Sequence, residues 1–333
     1  MMNDDIVSLR SLEKRADFFA AASLSAATKK AYETDWRRFL AWCMSHELET
    51  LPATPETVCL YLSDMADGGA AVSTIIRRLT SITAIHSAAG EFSPVKDDRV
   101  CRVLKGIKRQ LGTAPEQARA ISWKELKRLV SHCDSLMMGL RDAAILVLGW
   151  ASAARRSELV ALNVGDLEIS DQGLLMTIRR SKTDQEGHGH KIGIPRAKND
   201  LCPVATVERW LLRRTTTPLN ADEPVFVKIG MHGRGKWWWA PGDRLAARMV
   251  SEVVKRYANF AGLDSAQYSA HSLRRGFATE AGARGIPERV ISRHTRHRSI
   301  QVLRGYIDEG SIWHENPLPA IYTSSAPIPS GEQ

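Results

Sequence analysis

Residues 271–306 read HSLRRGFATEAGARGIPERVISRHTRHRSIQVLRGY. His271 and Arg274 stand three positions apart, and on a helix such positions lie on one face, so both side chains can meet the same anion. Tyr306 follows His297 after a short apolar segment. A tyrosine beside fixed cations favours a phenolic nucleophile for a phosphodiester, because a covalent intermediate divides one difficult displacement into two easier ones. The same pattern is also typical of the polar side of a surface helix, so the interpretation depends on what lies upstream.

A second constellation of charged residues lies upstream, in the segment SAARRSEL at 152–159. Arg155 and Glu158 again stand three positions apart, beside an apolar helix pair predicted over 140–162. A half-buried arginine needs an anion, and Glu158 can hold Arg155 in one rotamer. A simple Arg–Glu pair that fixes the helix explains the spacing equally well.

Residues 166–195 change to β character, with short strands predicted at 167–169, 174–178 and 191–194. Lys182 follows the second strand, before a turn that contains glycine. A lysine at a hairpin tip ordinarily serves solubility; alternatively, Lys182 reaches a DNA minor groove and donates a proton to a leaving oxygen. Further on, the three adjacent tryptophans at 237–239 cannot all face one core, so at least one is expected to be half exposed.

The composition indicates a folded protein with an anionic partner. The chain has 333 residues, enough for two domains, and its 46 Lys and Arg outnumber its 37 Asp and Glu. This balance favours nucleic acid, although a ribosomal or membrane-surface protein also fits. The five cysteines are scattered and never form a CxxC pair, which predicts free thiols in a reducing compartment and neither a disulfide framework nor a zinc ribbon.

No segment of the sequence predicts export or a membrane span. The start of the chain, MMNDDIVSLR, lacks the apolar core of a signal peptide. The longest apolar run, 143–154, is too short to cross a bilayer. We therefore expect a soluble cytoplasmic protein that has no membrane partner.

Residues 1–112 are predicted to form a helical DNA-binding domain. Apolar residues recur at helical spacing near 25–45, 58–62, 73–88 and 97–111, and basic residues lie off these stripes. Each basic set alone fits a solvated helix face, but several sets in one small unit favour a module that holds the DNA backbone. The candidate DNA contacts are Lys29, Lys30, Arg37, Arg77, Arg78, Arg102, Lys105 and Arg109.

The domain organisation is indicated by a break in periodicity at 113–120, which predicts a linker. A helix restarts after it, where Ser122 and Glu125 form a capping-box pattern. The second domain is predicted over 121–323. The last residues, 324–333, are expected to be disordered.

These features follow one another in a characteristic order: the segment 152–159, Lys182, the His-x-x-Arg pair and Tyr306. In this order the chain resembles the tyrosine recombinase (phage integrase) family over nearly its whole length. The resemblance makes 121–323 the catalytic domain and implies a mainly α fold with a small antiparallel β-sheet in that C-terminal domain, the two domains forming a C-shaped DNA clamp. The family's active-site residues correspond here to Arg155, Glu158 in a supporting role, Lys182, His271, Arg274, His297 and Tyr306 as the nucleophile. This sequence departs from the family at Ala153-Ala154 and at Arg296, where glycine is usual.

The resemblance implies a site-specific recombinase that cuts and rejoins double-stranded DNA through a 3′-phosphotyrosyl intermediate and a Holliday junction, at inverted-repeat target sites. It implies a homotetramer on two sites, in which the apolar tail with Trp313, Leu318, Ile321 and Tyr322 docks on a neighbouring subunit. Because the bond energy is stored covalently, no ATP, metal or other cofactor is expected. The paired histidines at 188, 190, 294 and 297 lack a cysteine or carboxylate at zinc-ligand spacing. The alternatives are a type IB topoisomerase-like nicking-closing enzyme and a non-catalytic DNA-binding protein of the same fold.

Overall fold

The computed structural model describes residues 15, 24–113, 117–179, 189–214, 219–232, 236–238, 243–313 and 316–323. The chain forms two compact units, Met1–Glu116 and Gln117–Gln333. Each unit buries its own hydrophobic core. The predicted fold class, mainly helical with one small antiparallel three-stranded sheet in the second unit, is confirmed.

The described part of the first unit consists of four α-helices and a short 3₁₀ turn. The helices are α1 (Ala26–Ser45), α2 (Pro55–Asp67), α3 (Val72–Ala88) and α4 (Asp98–Leu111), at the positions that the apolar periodicity predicted. Three of these four helices have a side-chain cap at their start: Ser25, Thr54 and Asp97 each accept a backbone N–H of the first turn. The apolar stripes of all four helices pack into one core around Phe39, Tyr61 and Ile75.

The second unit begins with a helix that the capping-box pattern predicted correctly. Ser122 accepts the backbone N–H of Glu125, and the Glu125 carboxylate accepts the backbone N–H of Ser122. The helices of this unit are α5 (Trp123–Ser131), α6 (Met137–Ala151), α7 (Arg156–Ala161), α8 (Pro203–Arg214), α9 (Arg248–Phe260), α10 (Ala270–Ala283), α11 (Glu288–Thr295), α12 (Ile300–Ser311) and α13 (Leu318–Thr323).

The sheet of the second unit has the order β1-β2-β3, with both pairs antiparallel. Its strands are β1 (Leu167–Ile169), β2 (Gly173–Ile178) and β3 (His190–Pro195). Leu174, Met176 and Ile178 alternate into the core, as a strand with one buried face requires. The three predicted strands are confirmed, and a further two-stranded ladder joins β4 (Gly230–His232) to β5 (Lys236–Trp238).

Helices α10 and α12 pack extensively against each other because two glycines remove the side chains that would separate them. A Cβ atom built on Gly282 would lie 2.8 Å from the Cα atom of Ile307, closer than such contacts ever come. A Cβ atom on Gly310 would collide with the backbone of Thr279. This backbone-to-backbone crossing fixes the position of Tyr306, on α12, against the first turn of α10.

Three predictions from the sequence concern features that lie outside the described residues. They are the role of Lys182, the exposure of the side chains at 237–239, and the disorder of the tail from 324 to 333. Among the described residues, no helix combines the length and the hydropathy that a membrane span requires.

Candidate active site

The first turn of α10 carries His271 and Arg274 on one face. Ser269 caps this helix and accepts the backbone N–H of His271. Arg274 is 2% exposed, and its Nη1 donates to the carbonyl of Ala153 at 2.6 Å. Its Nη2 is buried and has no hydrogen-bond partner among the described residues. Burial, with the charges of Arg155 and Arg296, lowers the pKa of Arg274 to about 9. This guanidinium is therefore poised to gain from any anion that reaches it.

Arg155 and Glu158 lie at the start of α7 and form the predicted pair. One carboxylate oxygen of Glu158 accepts Arg155 Nη1 at 2.6 Å, and the other accepts the Arg155 backbone N–H at 2.9 Å. Glu158 is 3% exposed, and Arg296 also donates to its carboxylate, at 2.8 Å. Burial raises the pKa of Glu158, but the charge of Arg296 and the bonds from Arg155 lower it more, so the carboxyl stays ionised.

His297 follows α11 and has a defined tautomer. The Thr295 hydroxyl donates to the carbonyl of Ile291, so the ring nitrogen Nδ1 of His297 must donate to that hydroxyl oxygen, at 2.7 Å. Nε2 is then the unprotonated nitrogen, and it is buried without a partner among the described residues. Burial, followed by the charges of Arg274 and Arg155, lowers the pKa of His297 to about 3. The imidazole is therefore neutral at physiological pH and presents an acceptor.

Tyr306 projects from α12 toward both histidines. Its hydroxyl lies 3.1 Å from His271 Nε2, and its ring centroid lies 5.7 Å from that of His297. Burial raises the pKa of Tyr306, and the charges of Arg275 and Arg274 oppose this increase. Burial and the charges of Arg274, Arg275 and Arg155 lower the pKa of His271. A neutral His271 is thus in place to accept the phenolic proton.

A cavity of about 270 Å³ opens beside these residues. It is lined by Arg155 and its neighbours at the start of α7, and by Ser269, His271 and Arg274 at the start of α10. Two guanidinium groups and the positive end of α10 face this space, which suits a phosphate. No group of three His, Cys, Asp or Glu side chains among the described residues is arranged to hold a metal ion.

The structure thus brings six predicted residues into one site: Arg155, Glu158, His271, Arg274, His297 and Tyr306. Sequence reasoning missed two arginines beside them. Arg275 lies over the Tyr306 ring, 5.4 Å from its centroid, and Arg296 is bonded to Glu158. Only the departure from glycine at Arg296 signalled an unusual residue there.

The predicted DNA contacts of the first unit differ in their surroundings. Arg77 pairs with the buried carboxylate of Asp35, and Arg78 donates to the Tyr61 hydroxyl at 2.8 Å. Lys29 is half-buried. Arg77 is nevertheless exposed, as are the remaining members of the set, Lys30, Arg37, Arg102, Lys105 and Arg109.

Comparison with known proteins identifies the relatives of this chain. Residues 119–310 match the model of the phage integrase family. The integrase/recombinase xerD homolog of Selenomonas ruminantium is 38% identical over 300 residues, which cover 89% of this chain and 85% of that protein. The recombinase cre of Escherichia phage P1 is 26% identical over 81% of this chain and 80% of its own length.

Two solved structures share the fold. A Tn1549 transposon integrase in complex with transposon right end DNA has a TM-score of 0.60 at 15% sequence identity, covering 88% of this chain and 92% of that one. The XerH site-specific recombinase bound to its difH substrate has a TM-score of 0.58 at 17% identity, covering 81% and 72%. With the matched family model and the relative at 38% identity, the chain belongs to the phage integrase family and is a tyrosine-type site-specific DNA recombinase.

Proposed function

We propose that Tyr306 is the nucleophile that attacks a DNA phosphodiester. The observation that carries this proposal is the 3.1 Å contact between the Tyr306 hydroxyl and His271 Nε2, beside a cavity whose lining includes Arg155 and Arg274. The phenolic oxygen forms the new bond to phosphorus, and the bond to the 5′-oxygen breaks. The products are a 3′-phosphotyrosyl link and a free 5′-hydroxyl, which attacks in turn to rejoin a strand.

The phosphate is held by Arg155 and Arg274. Each guanidinium presents a planar fork that matches two phosphate oxygens, and the unpartnered Nη2 of Arg274 gains a hydrogen bond when the phosphate binds. These charges stabilise the transition state, in which negative charge increases on the non-bridging oxygens. Glu158 keeps Arg155 in the required rotamer.

Two proton transfers accompany the displacement. His271 takes the proton of the Tyr306 hydroxyl, since its lowered pKa leaves the ring neutral. His297 offers a second acceptor through Nε2, in keeping with its low pKa. We assign the proton for the leaving 5′-oxygen to Lys182, on the family pattern alone.

The partner is double-stranded DNA with inverted-repeat target sites, in the bacterial cytoplasm. The exposed basic residues of α1 and α4 supply contacts to phosphates, which hold DNA without reading its sequence. The related XerH and Tn1549 enzymes are described as bound to DNA substrates. Recombination of two sites needs several copies of the chain, and we propose a homotetramer that proceeds through a Holliday junction.

The tail supports this assembly because it carries several exposed apolar side chains after Tyr306. Trp313 is 82% exposed and Tyr322 is 78% exposed, and Ile312, Leu318 and Ile321 are exposed beside them. Exposed apolar surface of this kind marks a contact with another protein surface. We propose that the tail of one copy docks on the catalytic unit of the next, as a heterologous contact that closes into a ring.

The test begins with DNA that becomes covalently attached to the wild-type protein in cells; sequencing this DNA gives the target site. A nicked suicide substrate of that sequence is then incubated with the wild type, with Tyr306→Phe and, as a matched control, with Tyr322→Phe. We expect a covalent adduct on a denaturing gel for the wild type and the control. Tyr306→Phe should give no adduct and still assemble two-site complexes on a native gel. An adduct with Tyr306→Phe would assign the nucleophile to another residue, and failure of two-site assembly by the wild type would refute the tetramer.

A further inference from the structure

Helix α11 ends at Arg296 in a conformation that arginine rarely adopts. Its backbone angles are φ 57° and ψ 44°, in the left-handed region. Glycine takes this conformation freely, whereas a residue with a Cβ atom does so at an energetic cost. Such strain persists only where the surrounding structure enforces it, and it concentrates at functional sites.

The side chain of Arg296 adds a second cost. It is 9% exposed, and its Nε is buried with no hydrogen-bond partner among the described residues. Burial lowers its pKa, which shows that the protein interior disfavours the charged form. Arg155, a like charge close by, disfavours it further. The charge of Glu158 and its hydrogen bond with Arg296 oppose these costs.

What Arg296 provides is a second support for Glu158. Its Nη2 donates to Glu158 Oε2 at 2.8 Å, the same oxygen that accepts the backbone N–H of Arg155. The other oxygen, Oε1, holds Arg155 Nη1. Both oxygens of the carboxylate are therefore bonded, which fixes its orientation. The guanidinium of Arg155, which lines the cavity, is fixed with it.

We propose that Arg296 is a positioning residue for strand cleavage, which holds Glu158 so that Arg155 stays aimed at the scissile phosphate. The inference rests on the proposed function of Arg155 as a phosphate ligand. In this proposal Arg296 acts through Glu158, to which it is bonded, and not on the phosphate or on Tyr306 directly. Its Nη1 also donates to the carbonyl of His294, which ties the guanidinium to the end of α11.

Arg296→Gly removes the side chain without adding backbone strain, because glycine accepts the left-handed conformation freely. Relief of the backbone strain and loss of the bond to Glu158 act on stability in opposite directions, so we expect the variant to remain folded and its DNA binding to be unchanged. The single-turnover rate of adduct formation on the suicide substrate should fall by about tenfold to a hundredfold, as the loss of a hydrogen bond to a charged group predicts. Arg293→Ala, which removes an exposed charge from the same helix end, is the matched control and should retain the wild-type rate.

The pH profile provides a readout that a merely structural role would not move. Glu158 faces Arg155 and Arg296, and the charges of Arg274 and His190 act on it from neighbouring elements. Burial raises the pKa of Glu158, and the charge of Arg296 is the largest influence that lowers it. Without Arg296 the pKa rises, so Glu158 takes up a proton at a higher pH. The acid limb of the cleavage rate should therefore move to higher pH in Arg296→Gly.

A double-mutant cycle with Glu158→Gln tests whether Arg296 acts through Glu158. If it does, Arg296→Gly adds little to the defect of Glu158→Gln. If the two substitutions instead lower the cleavage rate independently, so that their effects multiply in the double variant, the proposal is overturned. A loss of DNA affinity in Arg296→Gly would also overturn it, because Arg296 would then be a direct DNA contact. A wild-type rate in Arg296→Gly would also overturn it. Adduct formation by the wild type in the same assay shows that the proposed function stands even where this inference fails.

Discussion

Both units of the chain place arginines around a buried acid, but they differ in how much of their remaining positive charge is exposed. In the second unit, Arg155 and Arg296 converge on one carboxylate, that of Glu158, and Arg274 lies close by, so three guanidinium groups share a single buried acid. In the first unit, Arg77 and Arg78 meet one buried acid, Asp35, while the basic residues of α4 stay in solvent.

This difference separates two physical functions. Buried and oriented positive charge in excess of the nearby acids is neutralised only when an anion binds. It therefore favours the reacting phosphate at one position. Positive charge in solvent interacts with any nearby phosphate and is screened by salt. The second unit is therefore expected to determine the chemistry, and the exposed face of the first unit the strength of DNA binding.

The largest expected effect is that of Arg274→Gln in the second unit. The change removes the guanidinium whose Nη2 has no hydrogen-bond partner among the described residues. Loss of one donor to a developing negative charge typically lowers the rate by about a hundredfold to a thousandfold. We expect this loss in the single-turnover rate at saturating DNA, with affinity nearly unchanged. A loss of affinity as large as the loss of rate would remove the distinction between the two units.

A moderate effect is expected on the exposed face of α4. Substituting Arg102, Lys105 and Arg109 together by alanine should weaken binding and reduce the slope of log affinity against log salt by about 0.9 for each phosphate that the protein no longer neutralises. The cleavage rate at saturating DNA should not change. Arg99→Ala on the same helix is the control, because Arg99 pairs with two carboxylates, those of Glu56 and Asp97, whereas Arg102 pairs with Asp98 alone and its side chain is 71% exposed. An unchanged salt slope in the triple variant would show that this face does not touch DNA.

The smallest expected effect concerns the end of α1. Glu47 has φ 57°, as Arg296 does, but it is exposed at the position after the helix cap where glycine is favoured. Glu47→Gly should raise the free energy of unfolding by about 0.5–1 kcal/mol, measured by urea denaturation, and leave cleavage untouched. A loss of cleavage would mean that strain in the first unit also serves catalysis.

The sequence alone predicted what depends on local spacing. Helix periodicity placed His271 and Arg274 on one face, and the same spacing paired Arg155 with Glu158. It did not show that Arg77 meets Asp35 on another helix or that Arg296 meets Glu158, because no periodic pattern records a contact between distant segments. The assignment of Arg77 and Arg78 to DNA stays a prediction, although both side chains already have partners within their unit.

The two positions at which this sequence lacks the family's glycine, Ala153 and Arg296, can be interpreted only from the folded structure. Ala153 and Arg296 both take left-handed backbone angles where the family's glycine would be unstrained. Ala153 turns its carbonyl to Arg274, and Arg296 sends its side chain to Glu158. The sequence marked both positions as unusual, but the bonds that they make required coordinates.

The glycine-mediated crossing of α10 and α12 has a consequence for directed evolution. Where two helices touch through their backbones, even one added methyl group forces them apart and carries Tyr306 away from His271. Gly282 and Gly310 should therefore be held constant when libraries are built to retarget the enzyme to new DNA sequences.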